Sequence, residues 1–166
     1  MERFIYLTWK DYGKMATELA GRVLRSRHKF DVVVGIARGG VPLSMVIADE
    51  LGVRIEIINV KSYNGTRGDR TRPHILSTLT SSLGGRRVLL VDDLIEEGDT
   101  IMAMSKYLLR QKPKSLETAV MFTKPWNKVK PDFSLMEVDK WVVFPWDRCE
   151  TKRIIGRMGA RRKKYI

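Results

Sequence analysis

The chain has 166 residues and a mass of 19.1 kDa, enough for one compact domain with a buried core and too little for two ordinary ones. With 43% hydrophobic and 30% charged residues it is not a disordered polymer, and no run approaches the roughly 18 continuous apolar residues of a membrane-spanning helix. The formal charge of +12 raises nucleic acid as a partner, but eight basic residues and one acid fall in Arg148–Ile166, so much of the excess is a C-terminal tail that reads first as a solvated extension or subunit contact.

The stretch MERFIYLTWKDYGK carries Glu2, Arg3, Lys10 and Asp11 around a short apolar patch, which is not the pattern of a secretory signal. A lone cysteine, Cys149, excludes an internal disulfide and any multi-cysteine metal site, and the two observations together predict a cytoplasmic protein. From Lys10 to Lys29 the apolar residues Met15, Leu19, Val23 and Leu24 recur at helical spacing. Asp31 leads into VVVGIA, a run without alternation that predicts a strand buried on both faces of a parallel sheet. Pro42 then opens a helix that Gly52 ends, and RIEIINV follows as the second strand of a βαβ unit.

Between Ser62 and Pro73 the pattern breaks into a polar, glycine-containing loop, followed by a short strand or hairpin in HILSTL. RRVLLVDD reads as a buried strand ending in paired acids, and a helix from about Asp99 to Gln111 follows on Ile101, Met104, Tyr107 and Leu108. LETAVMF is the next strand. The remainder, with KPW, KPD and FPW, reads as an irregular lobe. The expected fold is α/β, a parallel sheet flanked by helices with a small irregular lobe, in a single domain with a basic tail from about residue 150.

Ligands of open parallel sheets bind at the C-terminal strand ends, and two candidate sites fall there. After VVVGI, the glycines of Arg38-Gly39-Gly40 allow close approach of the backbone to an anion, and Arg38 adds positive charge. Strand, glycine turn and helix is also a common structural connection. The second candidate is Asp92-Asp93-Leu94-Ile95-Glu96-Glu97-Gly98-Asp99-Thr100. Adjacent carboxylates repel one another unless a cation or hydroxyl partners relieve them, so Asp92 and Asp93 suggest ribose hydroxyls or Mg²⁺. Gly98 and Thr100 offer backbone amides and a hydroxyl to a monophosphate. An acidic helix N-terminus stabilised by its dipole accounts for Glu96, Glu97 and Asp99 but not for the acid pair.

An apolar strand, two acids, and a glycine and threonine at the next helix start resemble the phosphoribosyl pyrophosphate (PRPP) motif of type I phosphoribosyltransferases. In order along the chain, YLTW, RGG, SY, VDD, KPW and WVVFPWD are similar to the short microbial 6-oxopurine (xanthine-guanine or hypoxanthine-guanine) branch of that family. The resemblance implies a Mg²⁺-dependent purine-salvage transferase acting on PRPP and a purine base, commonly a homo-oligomer. It implies that Arg38, Gly39 and Gly40 bind pyrophosphate and that Asp92 and Asp93 hold the ribose hydroxyls, directly or through the metal. Glu96 stands where the family has an acid/base carboxylate beside purine N7. Glu97, Gly98, Asp99 and Thr100 would wrap the 5′-phosphate. Lys124 would bond the purine 6-oxo group, Trp141 would stack on the ring, and the backbone of Trp141 and Val142 would read its edge. Ser62, Tyr63, Arg67 and Arg70 would belong to a lid over pyrophosphate.

Glu97 and Asp99 depart from the family's threonine- and glycine-rich loop, and two carboxylates beside a phosphate are expected to weaken its binding. Two alternatives accompany this reading. One is a PRPP-sensing regulatory protein whose basic tail binds nucleic acid, and the other is transfer to a different base such as adenine.

Overall fold

The computed structural model describes residues 4–61 and 73–153. The expected lid residues Ser62, Tyr63, Arg67 and Arg70 and the end of the basic tail lie outside the described residues. In chain order the elements are β1 (Phe4–Tyr6), α1 (Trp9–Arg25), β2 (Val32–Ala37), α2 (Gly40–Leu51), β3 (Arg54–Lys61), β4 (His74–Ile75), β5 (Arg87–Ile95), α3 (Asp99–Leu109), β6 (Ser115–Thr123), β7 (Phe133–Glu137) and β8 (Trp141–Val143). They fall into two compact units, Met15–Val138 and the segments on either side of it. No helix among the described residues is long and apolar enough to cross a membrane.

The larger unit is built on a six-stranded sheet in the order β4-β3-β2-β5-β6-β7, parallel throughout except for the β3–β4 pair. The two central strands are the unalternating runs. Val32, Val33, Val34 and Ile36 of β2 and Val88, Leu89, Leu90 and Val91 of β5 are buried, because a strand between helical layers has no solvent face. Ile101, Met104 and Leu108 of α3 pack against Val32, Val34, Val88, Leu90 and Val120 in one cluster with Leu83. β3 alternates instead, with Glu56 and Ile58 buried between exposed Ile55, Ile57 and Asn59. Buried Glu56 accepts bonds from Thr80 N at 2.9 Å, Thr80 Oγ1 at 2.8 Å and Ser81 Oγ at 2.5 Å, which fastens the strap after β4 to the sheet.

In the smaller unit, β1 and β8 form a parallel two-stranded sheet with Phe4 opposite Trp141 and Tyr6 opposite Val143. Phe144 and Trp146 stack with ring centroids 5.0 Å apart, and Tyr12 meets the Trp146 ring edge-on at 4.9 Å. Thr8 opens α1, where Asp11 Oδ2 accepts from Thr8 N at 3.2 Å and Asp11 N donates to Thr8 Oγ1 at 3.1 Å, a reciprocal cap of the helix start.

Four boundaries depart from the sequence reading. The first helix ends at Arg25 rather than Lys29, since Ser26 Oγ bonds the Val23 carbonyl at 2.7 Å and Arg27 takes a φ of 61°. The second begins at Gly40, with Gly39 as N-cap, so Pro42 stands third in a first turn whose amides need no internal acceptor. The strand expected to stop at the acid pair runs on to Ile95, because β6 supplies pairing partners as far as Thr123. The expected irregular segment contributes β7, which completes the main sheet against β6, and β8.

Candidate functional site

β5 keeps β6 beside it along its length but is paired with β2 only as far as Gly35 opposite Val91. Asp92 and Asp93 therefore lie where the strand has a neighbour on one flank and an open notch on the other. The β2–α2 turn fills that notch. A β-carbon at Gly40 would come within 2.5 Å of the Val91 carbonyl oxygen and 2.9 Å of Asp92 Cα, and one at Gly39 would overlap the Asp93 carboxylate. Gly39 has a φ of −61°, which any residue adopts, so what a side chain there would disturb is the Asp93 carboxylate and not the backbone conformation. The peptide bond joining Ala37 to Arg38 is cis. The two stretches that the sequence marked separately, Arg38-Gly39-Gly40 and Asp92-Asp93, are thus in contact.

Asp92 Oδ1 accepts a bond from the Asp93 amide at 3.0 Å. Burial pushes the Asp92 carboxyl well above the usual carboxylate range, and the neighbouring Asp93 charge adds to the shift. A carboxyl in that state gains from a cation or from hydroxyl donors. Among the described residues no three His, Cys, Asp or Glu side chains cluster as a metal cage, and the donors at this strand end are the two adjacent carboxyl groups. That donor set fits Mg²⁺, which commonly takes one or two carboxylates and completes its shell with substrate oxygens and water.

Beyond Ile95 the chain turns through Glu96, which is exposed, and Glu97 to α3. Gly98 precedes the helix with a φ of 99°, and a β-carbon there would lie 2.6 Å from Val129 Cγ2, so both conformation and space require glycine. The first amides of α3 point out of the helix end, with Asp99 exposed and Thr100 half-buried in its first turn. Glu97 faces Lys128, with Oε2 3.8 Å from Nζ; the lysine side chain is largely open to solvent and that of Glu97 is about one third exposed.

The stretch after β6 lies against this turn. Lys124 N donates to the Ile95 carbonyl at 3.1 Å and Lys128 N to the Glu97 carbonyl at 3.2 Å. Lys124 is only 4% exposed, and its Nζ lies 5.4 Å from the Trp126 ring centroid. In the smaller unit, Trp141 exposes 55% of its surface while Val142 is buried. The sequence reading missed Asn127, Lys128 and Val129, the residues that join the stretch to the turn. Their signal was only the spacing of two prolines in KPWNKVKP, which marks a loop without saying what it packs on.

Comparison with known proteins bears on this arrangement. The profile of the phosphoribosyl transferase domain matches residues 5–151. A xanthine-guanine phosphoribosyltransferase from Gluconobacter oxydans is 33% identical over 144 residues, covering 85% of this chain and 83% of that one. One from Cereibacter sphaeroides is 30% identical over 154 residues and covers 88% of each. The solved structure of a purine phosphoribosyltransferase from Pyrococcus horikoshii superposes with a TM-score of 0.78 at 30% identity, covering 87% of this chain and 95% of that one. Contact between the glycine turn and the acid pair, and a profile match along most of the chain, lead to one conclusion: this protein belongs to the phosphoribosyl transferase domain family.

Proposed function

We propose that the chain transfers the 5-phosphoribosyl group from PRPP to a 6-oxopurine, guanine, hypoxanthine or xanthine, releasing pyrophosphate and the nucleoside monophosphate. The observation that carries this reading is the seating of Gly39 and Gly40 directly on Asp92 and Asp93. An anion held by the turn and a sugar held by the acids would then be adjacent, as the two halves of PRPP are.

The bond from ribose C1 to pyrophosphate breaks with positive charge developing on the sugar. In this reading the Arg38 guanidinium and the amides of Gly39 and Gly40 receive the departing pyrophosphate. Asp92 and Asp93 hold the ribose hydroxyls and place their negative charge beside the cationic sugar. Mg²⁺, where bound by this pair, would neutralise charge on the leaving group. Glu96 accepts the proton released from the purine ring as the new C1–N bond forms. The amides following Glu97, with Gly98, Asp99 and Thr100, hold the 5′-phosphate at the α3 terminus.

Lys124 donates to the 6-oxo group, and its near-complete burial supports a role in selecting the base, because a buried donor discriminates against a substrate that leaves it unpaired. The exposed Trp141 ring supports stacking on a base, with the backbone of Trp141 and Val142 reading the base edge. The same reading includes a homo-oligomer in the cytoplasm. Exposed Met45, Ile55 and Ile57 on α2 and β3 support a second copy as the partner, and light scattering in solution measures it.

The test is a coupled assay of guanine, hypoxanthine, xanthine and adenine with PRPP and Mg²⁺. Nucleotide formation from at least one 6-oxopurine, lost without Mg²⁺, is the expected result. Transfer to adenine alone, or to none of the four, overturns the proposal.

A further inference from the structure

The stretch from Lys124 to Val129 connects two places to which the proposed function gives different tasks. At its first end Lys124 N bonds the Ile95 carbonyl, and at its far end Lys128 N bonds the Glu97 carbonyl while Val129 presses on Gly98. Between them one side chain bonds to both ends. Asn127 Nδ2 donates to the Lys124 carbonyl at 2.6 Å, and Asn127 Oδ1 accepts from Val129 N at 3.0 Å. The Asn127 amide itself donates to the same Lys124 carbonyl at 3.1 Å. The side chain is half-buried, so these bonds are partly sheltered from competing water.

We propose that Asn127 is a positioning residue that locks the base-selecting Lys124 and the phosphate-binding turn at Glu97–Gly98 into one rigid unit. The inference rests on the proposed function for what those two places bind. The residue type follows from the geometry. A single short planar group must donate at one end and accept at the other, which asparagine does and aspartate or serine at this position does only in part. Losing the side chain takes one of two bonds from the Lys124 carbonyl, which keeps the Asn127 amide, and the side-chain acceptor from the Val129 amide. Val129 then holds Gly98 less firmly in the conformation that opens α3, and the backbone from which the Lys124 side chain starts is less tightly fixed.

Steady-state kinetics with guanine and PRPP varied in turn, beside thermal melting and hydrogen exchange, test this. Asn127→Ala is expected to raise KM for both substrates about five- to twentyfold, the loss of one or two partly buried hydrogen bonds, with kcat changed less than about threefold. Asn127→Asp keeps the acceptor for Val129 N but not the donor to the Lys124 carbonyl, so it is expected to raise KM for guanine and leave KM for PRPP near wild type. Both KM values within about twofold of wild type in Asn127→Ala, or a lowered melting temperature with both KM values unchanged, overturn the proposal, as does a rise confined to one substrate in that variant. If Asn127→Ala does not fold, the split expected of Asn127→Asp decides in the same way. A wild type without transferase activity sinks the assigned reaction instead, and the lock is then read from exchange alone. Amide exchange at Lys128 and Val129 must quicken about tenfold or more in Asn127→Ala, and unchanged exchange overturns the lock itself.

Discussion

Gly39 and Asp93 are packed so closely that a β-carbon on the glycine would overlap the aspartate carboxylate. Because the Gly39 backbone is right-handed helical, alanine at this N-cap meets no conformational obstacle. In open space Gly→Ala at a permissive site stabilises a protein by about 0.4–1 kcal/mol through the unfolded chain. Gly39→Ala is therefore expected to lower kcat/KM at least about tenfold by displacing Asp93, an effect of about 1.4 kcal/mol or more on the transition state. Any loss of melting temperature that the overlap causes in Gly39→Ala should be relieved when the aspartate is truncated in the double variant Gly39→Ala, Asp93→Gly, while activity stays low. Full activity in Gly39→Ala would show that Asp93 moves without consequence.

The acid pair itself separates activity from stability. Burial and the neighbouring charge make an ionised Asp92 unfavourable, so Asp92→Asn removes a strained charge while keeping the shape and the acceptor for the Asp93 amide. Its melting temperature is expected to match or exceed that of wild type, while kcat/KM falls about a hundredfold or more, the usual scale for a group that meets developing charge. Asp93→Asn is expected to lose activity on the same scale with the fold intact. Unchanged turnover in both variants would remove the pair from the reaction.

In the proposed function Lys124 would set a base preference that can be read as a ratio. Its ammonium would donate to a 6-oxo group but would have only donors to meet at the 6-amino group of adenine. In Lys124→Ala the guanine-to-adenine ratio of kcat/KM is expected to collapse at least about tenfold, chiefly through loss of guanine turnover, because an unpaired buried donor no longer penalises adenine. The backbone bond from residue 124 to Ile95 survives the substitution, so the turn itself should persist.

Glu97 is a weaker handicap than its charge suggests. A carboxylate about 6 Å from a phosphate at an effective dielectric near 20 would cost about 3 kcal/mol, but solvent exposure and salt bring such a pair below about 1 kcal/mol. With its carboxylate toward the Lys128 ammonium and in part solvated, Glu97→Thr is expected to change KM for PRPP by less than about threefold. Exposed Asp99 should behave alike in Asp99→Asn. A tightening of tenfold would mean that these side chains turn toward the phosphate.

Stability should fall in acid for reasons outside the site. Two bonds from the Arg87 side chain and one from its amide hold the Asp31 carboxyl far below its ordinary value of 3.8. Burial alone would push Glu56 up, but bonds from Ser81 and Thr80 and the Arg54 charge bring it below its ordinary 4.5. Both groups release their protons more readily in the folded chain, so the unfolded chain binds more protons in acid. The stabilisation is complete above about pH 5 and drains away as pH drops below these ordinary values toward the depressed native ones. Urea unfolding at about pH 6.5 and about pH 3 measures it. Glu56→Gln should flatten part of that slope and cost about 1–3 kcal/mol at neutral pH, since some of its three donors lose a charged acceptor.

What the sequence determined by itself was the central strands of the sheet, its helices and the two stretches that fold into contact at the strand ends. Unbroken runs such as VVVGIA and VLLV are legible because burial on both faces leaves no position for a polar residue, and Gly52 ends α2 in the left-handed region for a purely local reason. The acid pair and the glycine turn were legible as separate features, the pair because it is costly without a ligand and the turn because its glycines allow close approach of the backbone to an anion. Only the tertiary structure decided that they touch, because register between β2 and β5 places Gly35 opposite Val91 and leaves the notch that the turn fills. It also decided where β5 ends. Strand length past the acids depends on partners in β6, which lie more than twenty residues away in sequence. Asn127 escaped notice for the same reason: a lone asparagine between prolines is common loop chemistry, and its two bonds acquire meaning only once folding lays Val129 against Gly98.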